Sequence, residues 1–121
     1  MSEIFIPGNV PSSKNGKRWT GKYLIHSKTV MNYIKNSKND YINNKDLFLE
    51  MCEGKEIPYR VSFKFHRNSR RKFDYINPAQ TVQDLMVKYG YIDDDNCEYI
   101  IPCFEPYEYN KDNSGVTIKV L

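Results

Sequence analysis

The spacing of hydrophobic positions changes along this chain, and each change marks a predicted element. Glu3-Ile4-Phe5-Ile6-Pro7-Gly8 reads as a short strand stopped by Pro-Gly. In 27–40, Val30, Tyr33 and Ile34 stand at helical spacing behind Ser27, a good N-cap, with lysines on the open face. The polar stretch 36–46 is expected to end that helix and lead to a second, short one near 47–52. Residues 59–66 alternate: Tyr59, Val61, Phe63 and Phe65 point one way, and Arg60, Ser62, Lys64 and His66 the other, with Lys64 and His66 expected in solvent. A basic turn, 67–72, precedes a helix with Asn77 as N-cap, Pro78 at its first position and Gly90 just past its end. Within it Val82, Leu85, Met86 and Tyr89 bury one face, and Gln80 and Asp84 share another. Residues 98–104 and 116–120 read as strands, and 105–114 as a polar loop.

The order strand, helix, strand, helix, strand, strand predicts one small α/β (α+β) domain over residues 1–121, with a mixed sheet of about four strands and two to three helices. A chain of 121 residues is too short for two independent cores. No apolar run approaches the roughly 20 residues that span a bilayer, so no membrane partner is expected. Met1-Ser2-Glu3-Ile4 lacks the basic start and apolar stretch of a secretory signal. Cys52, Cys97 and Cys103 are odd in number and unpaired in spacing, which predicts free thiols, mostly packed inside, in a reducing compartment. The expected location is therefore cytoplasmic.

Charge changes the picture more than composition does. The net charge is only +3, but residues 1–72 carry fifteen Lys/Arg against six Asp/Glu, and residues 73–121 carry three against nine. The basic half suits a polyanion, because cations that neutralise phosphates gain affinity by releasing counterions. An acidic cluster beside the same phosphates calls for a divalent cation between them. The basic residues fall in two stretches. One is the loop Val10-Pro11-Ser12-Ser13-Lys14-Asn15-Gly16-Lys17-Arg18, which reads as a phosphate-contacting or plain surface loop and lacks the pattern of a Walker A loop. The other is the turn with Arg67, Arg70, Arg71 and Lys72.

The carboxylates gather around the second helix: Asp74 before it, Asp84 on it, and Asp93, Asp94 and Asp95 after it. Hard cations such as Mg²⁺ take a few carboxylates with water and phosphate oxygens, as phosphodiester hydrolysis requires. A solvated acidic turn is the other reading of the same run.

Read together, Arg70-Arg71-Lys72-Phe73-Asp74-Tyr75-Ile76-Asn77, then Asp84, Gly90 and Asp94-Asp95, resembles the signature region of RusA-type Holliday junction resolvases. Pro11-Ser12-Ser13-Lys14-Asn15 more loosely resembles the family's loop after the first strand. The resemblance implies a homodimer that binds four-way DNA junctions and cuts symmetric strands with Mg²⁺ or Mn²⁺, in recombination and repair. It implies Asp74 and Asp95 as metal-site and catalytic carboxylates, with Asp94 as their acidic neighbour. Lys14, Asn15, Lys17, Arg18, Arg70, Arg71, Lys72 and Asn77 become the expected DNA contacts.

The chain departs from the pattern twice. Ile76 stands where the family has its second signature Asp, and Gln80 where it has a functional lysine. Asp93 or Asp84 is then the candidate replacement ligand, and Lys72 or Lys14 the replacement cation. A catalytically weakened junction-binding accessory protein, or a single-strand nucleic-acid-binding domain using exposed tyrosines, are the alternatives. Geometry adds a condition. A helix over 78–89 is about 18 Å long at about 1.5 Å per residue. Asp74 and Asp95, beyond its opposite ends, share a cation only if 91–95 doubles back or a partner chain supplies one of them.

Overall fold

In the computed structural model, which describes residues 2–12, 17–19 and 24–121, the chain runs through β1 (Ile4–Pro7), β2 (Lys17–Trp19), β3 (Leu24–His26), α1 (Lys28–Cys52), β4 (Tyr59–Arg67), α2 (Ile76–Lys88), β5 (Ile100–Phe104), β6 (Glu108–Tyr109) and β7 (Gly115–Val120). The main sheet has five strands in the order β1-β7-β4-β5, with β6 also on β4, past β5. β7 runs antiparallel to both β1 and β4. β4 pairs in parallel with β5 and β6, and a parallel pair needs a crossover, which α2 supplies. β2 and β3 form a separate antiparallel pair. The fold is α+β with a mixed sheet, as the pattern predicts.

Alternation in β4 decides which face is covered. Val61, Phe63 and Phe65 are fully buried, and the register lines Phe63 up with Ile118 of β7 and Phe104 of β5. Ile118 in turn faces Ile4 of β1. Phe104 stays exposed at the sheet edge, while Ile4, Val61, Phe63, Phe65 and Ile118 share one core with Tyr33, Tyr41 and Phe48 of α1 and Val82, Leu85 and Met86 of α2. Each such side chain, once buried, contributes about 1.5–3 kcal/mol. Among the described residues no helix is long and apolar enough to cross a membrane.

Several local expectations are corrected. The first helix does not stop near Asn36; α1 is one helix of 25 residues from its Ser27 cap, whose Oγ accepts from the Val30 amide. Its buried stripe runs Val30, Tyr33, Ser37, Tyr41, Phe48, Cys52; three of those positions carry hydroxyls, and Ser37 and Tyr41 among them hide the period. Burial is possible because each hydroxyl is partnered: Ser37 Oγ donates to the Tyr33 carbonyl at 2.6 Å, and the Tyr33 and Tyr41 hydroxyls lie 3.0 Å apart.

Asn77 is not the N-cap of the second helix. α2 begins at Ile76, preceded by Tyr75 with no side-chain cap, and the Asn77 amide donates to the Asp74 carbonyl instead. Pro78 therefore sits third, still within the first turn, where a missing N–H leaves no intrahelical bond unmade. The main sheet has five strands rather than four, because two-residue β6 lies in the expected loop. The expected basic loop also contains β2. Of the thiols, Cys52 is buried but Cys97 is exposed and Cys103 half-buried.

Candidate nucleic-acid interface

Where β4 ends, the chain builds a cleft of about 760 Å³. Four cations line it: Arg67, Arg70, Arg71 and Lys72. Phe73, Tyr75 and Tyr107 supply aromatic walls, and Ser12, Asp74, Asn77 and Pro78 complete the lining. The clustering follows from chain order. β4 delivers Arg67, the basic turn follows at once, and the start of α2 closes the other side.

Arg67 is the best-fixed cation. Its Nη1 donates to the Val10 carbonyl at 2.8 Å, and its guanidinium lies 4.4 Å from the Phe73 ring centroid. Its Nε is enclosed with no hydrogen-bond partner. Burial draws its pKa down from the ordinary arginine value, opposed by the nearby Tyr107 hydroxyl, and the group stays charged at neutral pH. Arg70 lies over the Tyr109 ring at 4.2 Å. Among the described residues the carboxylate that meets basic side chains is Glu108, beside Lys64 and His66, so none of the four cleft cations has a carboxylate within pairing distance.

The aromatic wall is braced from behind. The Tyr75 hydroxyl accepts from the Tyr107 amide at 3.0 Å. Phe73 meets Tyr107 edge-on at 5.3 Å and Tyr75 at 5.1 Å. The loop after β1 is tied to the same place: Thr81 Oγ1 donates to the Pro11 carbonyl, and the Asn68 amide to Asn9 Oδ1.

One helical turn along α2 the character reverses. α2 ends in a Schellman arrangement, with Gly90 N–H donating to the Val87 carbonyl and Tyr91 N–H to the Met86 carbonyl. Gly90 sits at φ +82°, in the left-handed region that glycine adopts without strain. The reversal sends Tyr91 and Ile92 into the core, where the Tyr91 hydroxyl donates to the Tyr41 carbonyl of α1 at 2.5 Å. So anchored, the chain does double back along the helix. Asp95 Oδ2 accepts from Gln80 Nε2 at 2.8 Å, and the same nitrogen donates to Asp84 Oδ1 at 2.7 Å.

The expected site residues therefore divide. Arg70, Arg71, Lys72, Asp74 and Asn77 share the cleft. Asp84 and Asp95 meet at Gln80, beside it. Asp94 gives both carboxylate oxygens to its own turn, accepting from the Asp95 amide and from Asn96 Nδ2. Asp93 is exposed. Among the described residues no three His, Cys, Asp or Glu side chains converge as a metal cage, so Asp74 does not join Asp84 and Asp95. Lys14 and Asn15 lie outside the described residues, and the backbone of Lys17 and Arg18 forms β2.

Three features escape the sequence pattern. Arg67 ends a strand and reads there as one more member of a basic turn. Tyr107 lies in a polar loop far along the chain, and nothing in its neighbours marks it. His66, expected in solvent, is held between Glu108 at 2.9 Å and Thr117 Oγ1 at 2.8 Å. No protein-family model matches the chain, and no curated protein matches it.

Proposed function

We propose that this chain is a metal-dependent DNA endonuclease of the RusA type that resolves four-way junctions. The observation that carries the reading is that α2 holds the unpaired cationic cleft at its start and the Asp84–Asp95 pair one turn on. A strand gripped by Arg70, Arg71 and Lys72 passes beside carboxylates of the right chemistry. Two carboxylates are a fitting donor set for Mg²⁺ or Mn²⁺, which bind through one or two carboxylates with water and substrate phosphate. Asp84 and Asp95 would hold such a cation, with Asp74 in the neighbouring cleft. When bound, the cation polarises the phosphoryl oxygen and acidifies its water. Gln80 keeps Asp84 and Asp95 together, and as a neutral amide it leaves both negative charges available. Symmetric cutting of a junction needs two sites, so the acting form is a two-fold dimer.

The experiment is cleavage of a synthetic four-way junction with and without Mg²⁺. Paired nicks that need Mg²⁺, and vanish in Asp95→Asn and Asp74→Asn while junction binding persists, are the expected result. Normal cutting by both variants would sink the assignment.

A second reading has its own support. Ile76, 65% exposed, presents a hydrocarbon surface where the resembled family has a carboxylate, and Gln80 replaces a cation. A junction-binding accessory protein would show tight, salt-sensitive binding with no cleavage under any divalent ion.

A further inference from the structure

We infer that the cleft is a subsite for one unpaired nucleotide, its phosphate on Arg67 and its base on the Tyr107 ring; this rests on, and deepens, the nucleic-acid reading above. Shape is the first argument. The cleft is concave, and about 760 Å³ falls in the range of roughly 300–1,000 Å³ typical of small-ligand pockets. A duplex is read by elements that protrude into its grooves. A concave pocket instead accepts something that protrudes from the nucleic acid, such as an unstacked nucleotide.

Charge is the second. Arg67 is half-buried, clamped to the Val10 carbonyl and backed by Phe73, yet no carboxylate pairs with it among the described residues. Its Nε is enclosed without a partner. A partly desolvated cation left in this state is completed by an anion that arrives with the ligand. Guanidinium matches phosphate geometry better than any other side chain.

The platform is the third. Tyr107 and Arg67 line the same cleft. Tyr107 is 37% exposed, and Phe73 and the Tyr75 hydroxyl hold it in place. A pre-positioned aromatic ring next to a phosphate site is the arrangement that takes single-stranded bases in general. Arg70, Arg71 and Lys72 then serve the neighbouring phosphates. A four-way junction supplies such a nucleotide where its strands exchange, whereas continuous duplex must first be unstacked.

The test measures binding by fluorescence anisotropy in EDTA, using the full chain and a labelled four-way junction. Branch-point nucleotides are replaced one at a time by abasic residues. In the unsubstituted protein one replacement is expected to weaken binding roughly 5- to 150-fold, the range of base–aromatic stacking. Tyr107→Ala binds the intact junction more weakly by the same factor and no longer distinguishes it from the abasic one, while Tyr107→Phe behaves as the original. A neutral methylphosphonate at the adjacent linkage weakens the original protein but not Arg67→Gln. The inference falls if every abasic junction binds as tightly as the intact one, or if Tyr107→Ala still discriminates. A parallel titration with a short oligothymidylate separates this inference from the junction reading. Tyr107-dependent binding of oligothymidylate without junction binding keeps the subsite and removes the resolvase. Junction binding indifferent to Tyr107 does the reverse.

Discussion

The first turn of α2 and the flank one turn further on carry opposite charge and satisfy it in opposite ways. At the first turn, cations are braced by aromatic rings and a backbone carbonyl, and among the described residues no carboxylate pairs with them. On the flank, two carboxylates are answered by one neutral amide. The comparison teaches that opposite charges can be kept apart on a single helix; in the proposed reading the cationic end takes phosphate and the acidic flank holds the cation.

Substitutions can break that separation, and the largest effect is expected on the acidic side. Asp95→Asn should lower junction cleavage at least about 100-fold, since a lost ligand forfeits several kcal/mol of charge stabilisation. Junction affinity measured in EDTA should stay within about twofold. Loss of binding in step with cleavage would show that the two regions are one. On the basic side, Arg70→Gln, Arg71→Gln and Lys72→Gln together should flatten the dependence of log affinity on log salt by about 0.9 for each phosphate that is no longer neutralised. The cleavage rate at saturating DNA should hardly move. A salt slope unchanged in the triple variant would remove these residues from the interface.

A smaller effect probes the reversal that joins the regions. Gly90→Ala places an L side chain at φ +82°, at a cost of about 1–2 kcal/mol. The added Cβ meets only the flexible end of Lys45, so backbone strain accounts for the loss. The urea midpoint should fall, and cleavage at a temperature where the variant is folded should fall with it, because Asp95 is carried on that turn. The smallest effect at neutral pH lies in the core. Burial pushes the Cys52 thiol up to about 11 and raises the phenols of Tyr33, Tyr41 and Tyr91. The folded state then keeps these protons longer than the unfolded chain does. Stability is full below the ordinary values of 9.0 and 10.0, and it declines as pH rises above them. Chemical denaturation at pH 8 and at pH 10.5 measures the difference; equal midpoints would contradict it.

How much was legible in the sequence depended on whether local pattern decided the outcome. β4 buries Val61, Phe63 and Phe65 as read, although Ser62 on the opposite face is buried too. Gly90 marks the end of α2 because only glycine sits there without strain. The full length of α1 was hidden, since Ser37 and Tyr41 look polar while the fold buries them through hydroxyl partners. The start of α2 was misplaced because Asn-Pro has a strong capping signature, yet Asp74 and Tyr75 already turn into the helix. In the site, Asp84, Asp94 and Asp95 could be named from spacing, but their roles could not. Whether a carboxylate faces a neighbour or its own turn depends on side-chain geometry across a reversal. Tyr107 was invisible for a different reason: it reaches the cleft through the pairing of β6 with β4, which joins segments distant in the chain.

The bond from Tyr91 to the Tyr41 carbonyl has a consequence for length. With Gly90 setting the direction and Tyr91 moored on α1, the few residues up to Asp95 act as a ruler. Their number, more than their identity, decides where the carboxylate arrives. Inserting a single glycine between Ile92 and Asp95 would leave the core as it is and carry Asp95 off its mark beside Gln80. Substitutions at Asp93, by contrast, should be absorbed freely. Families of such chains would then vary in composition along this arm and hold its residue count constant.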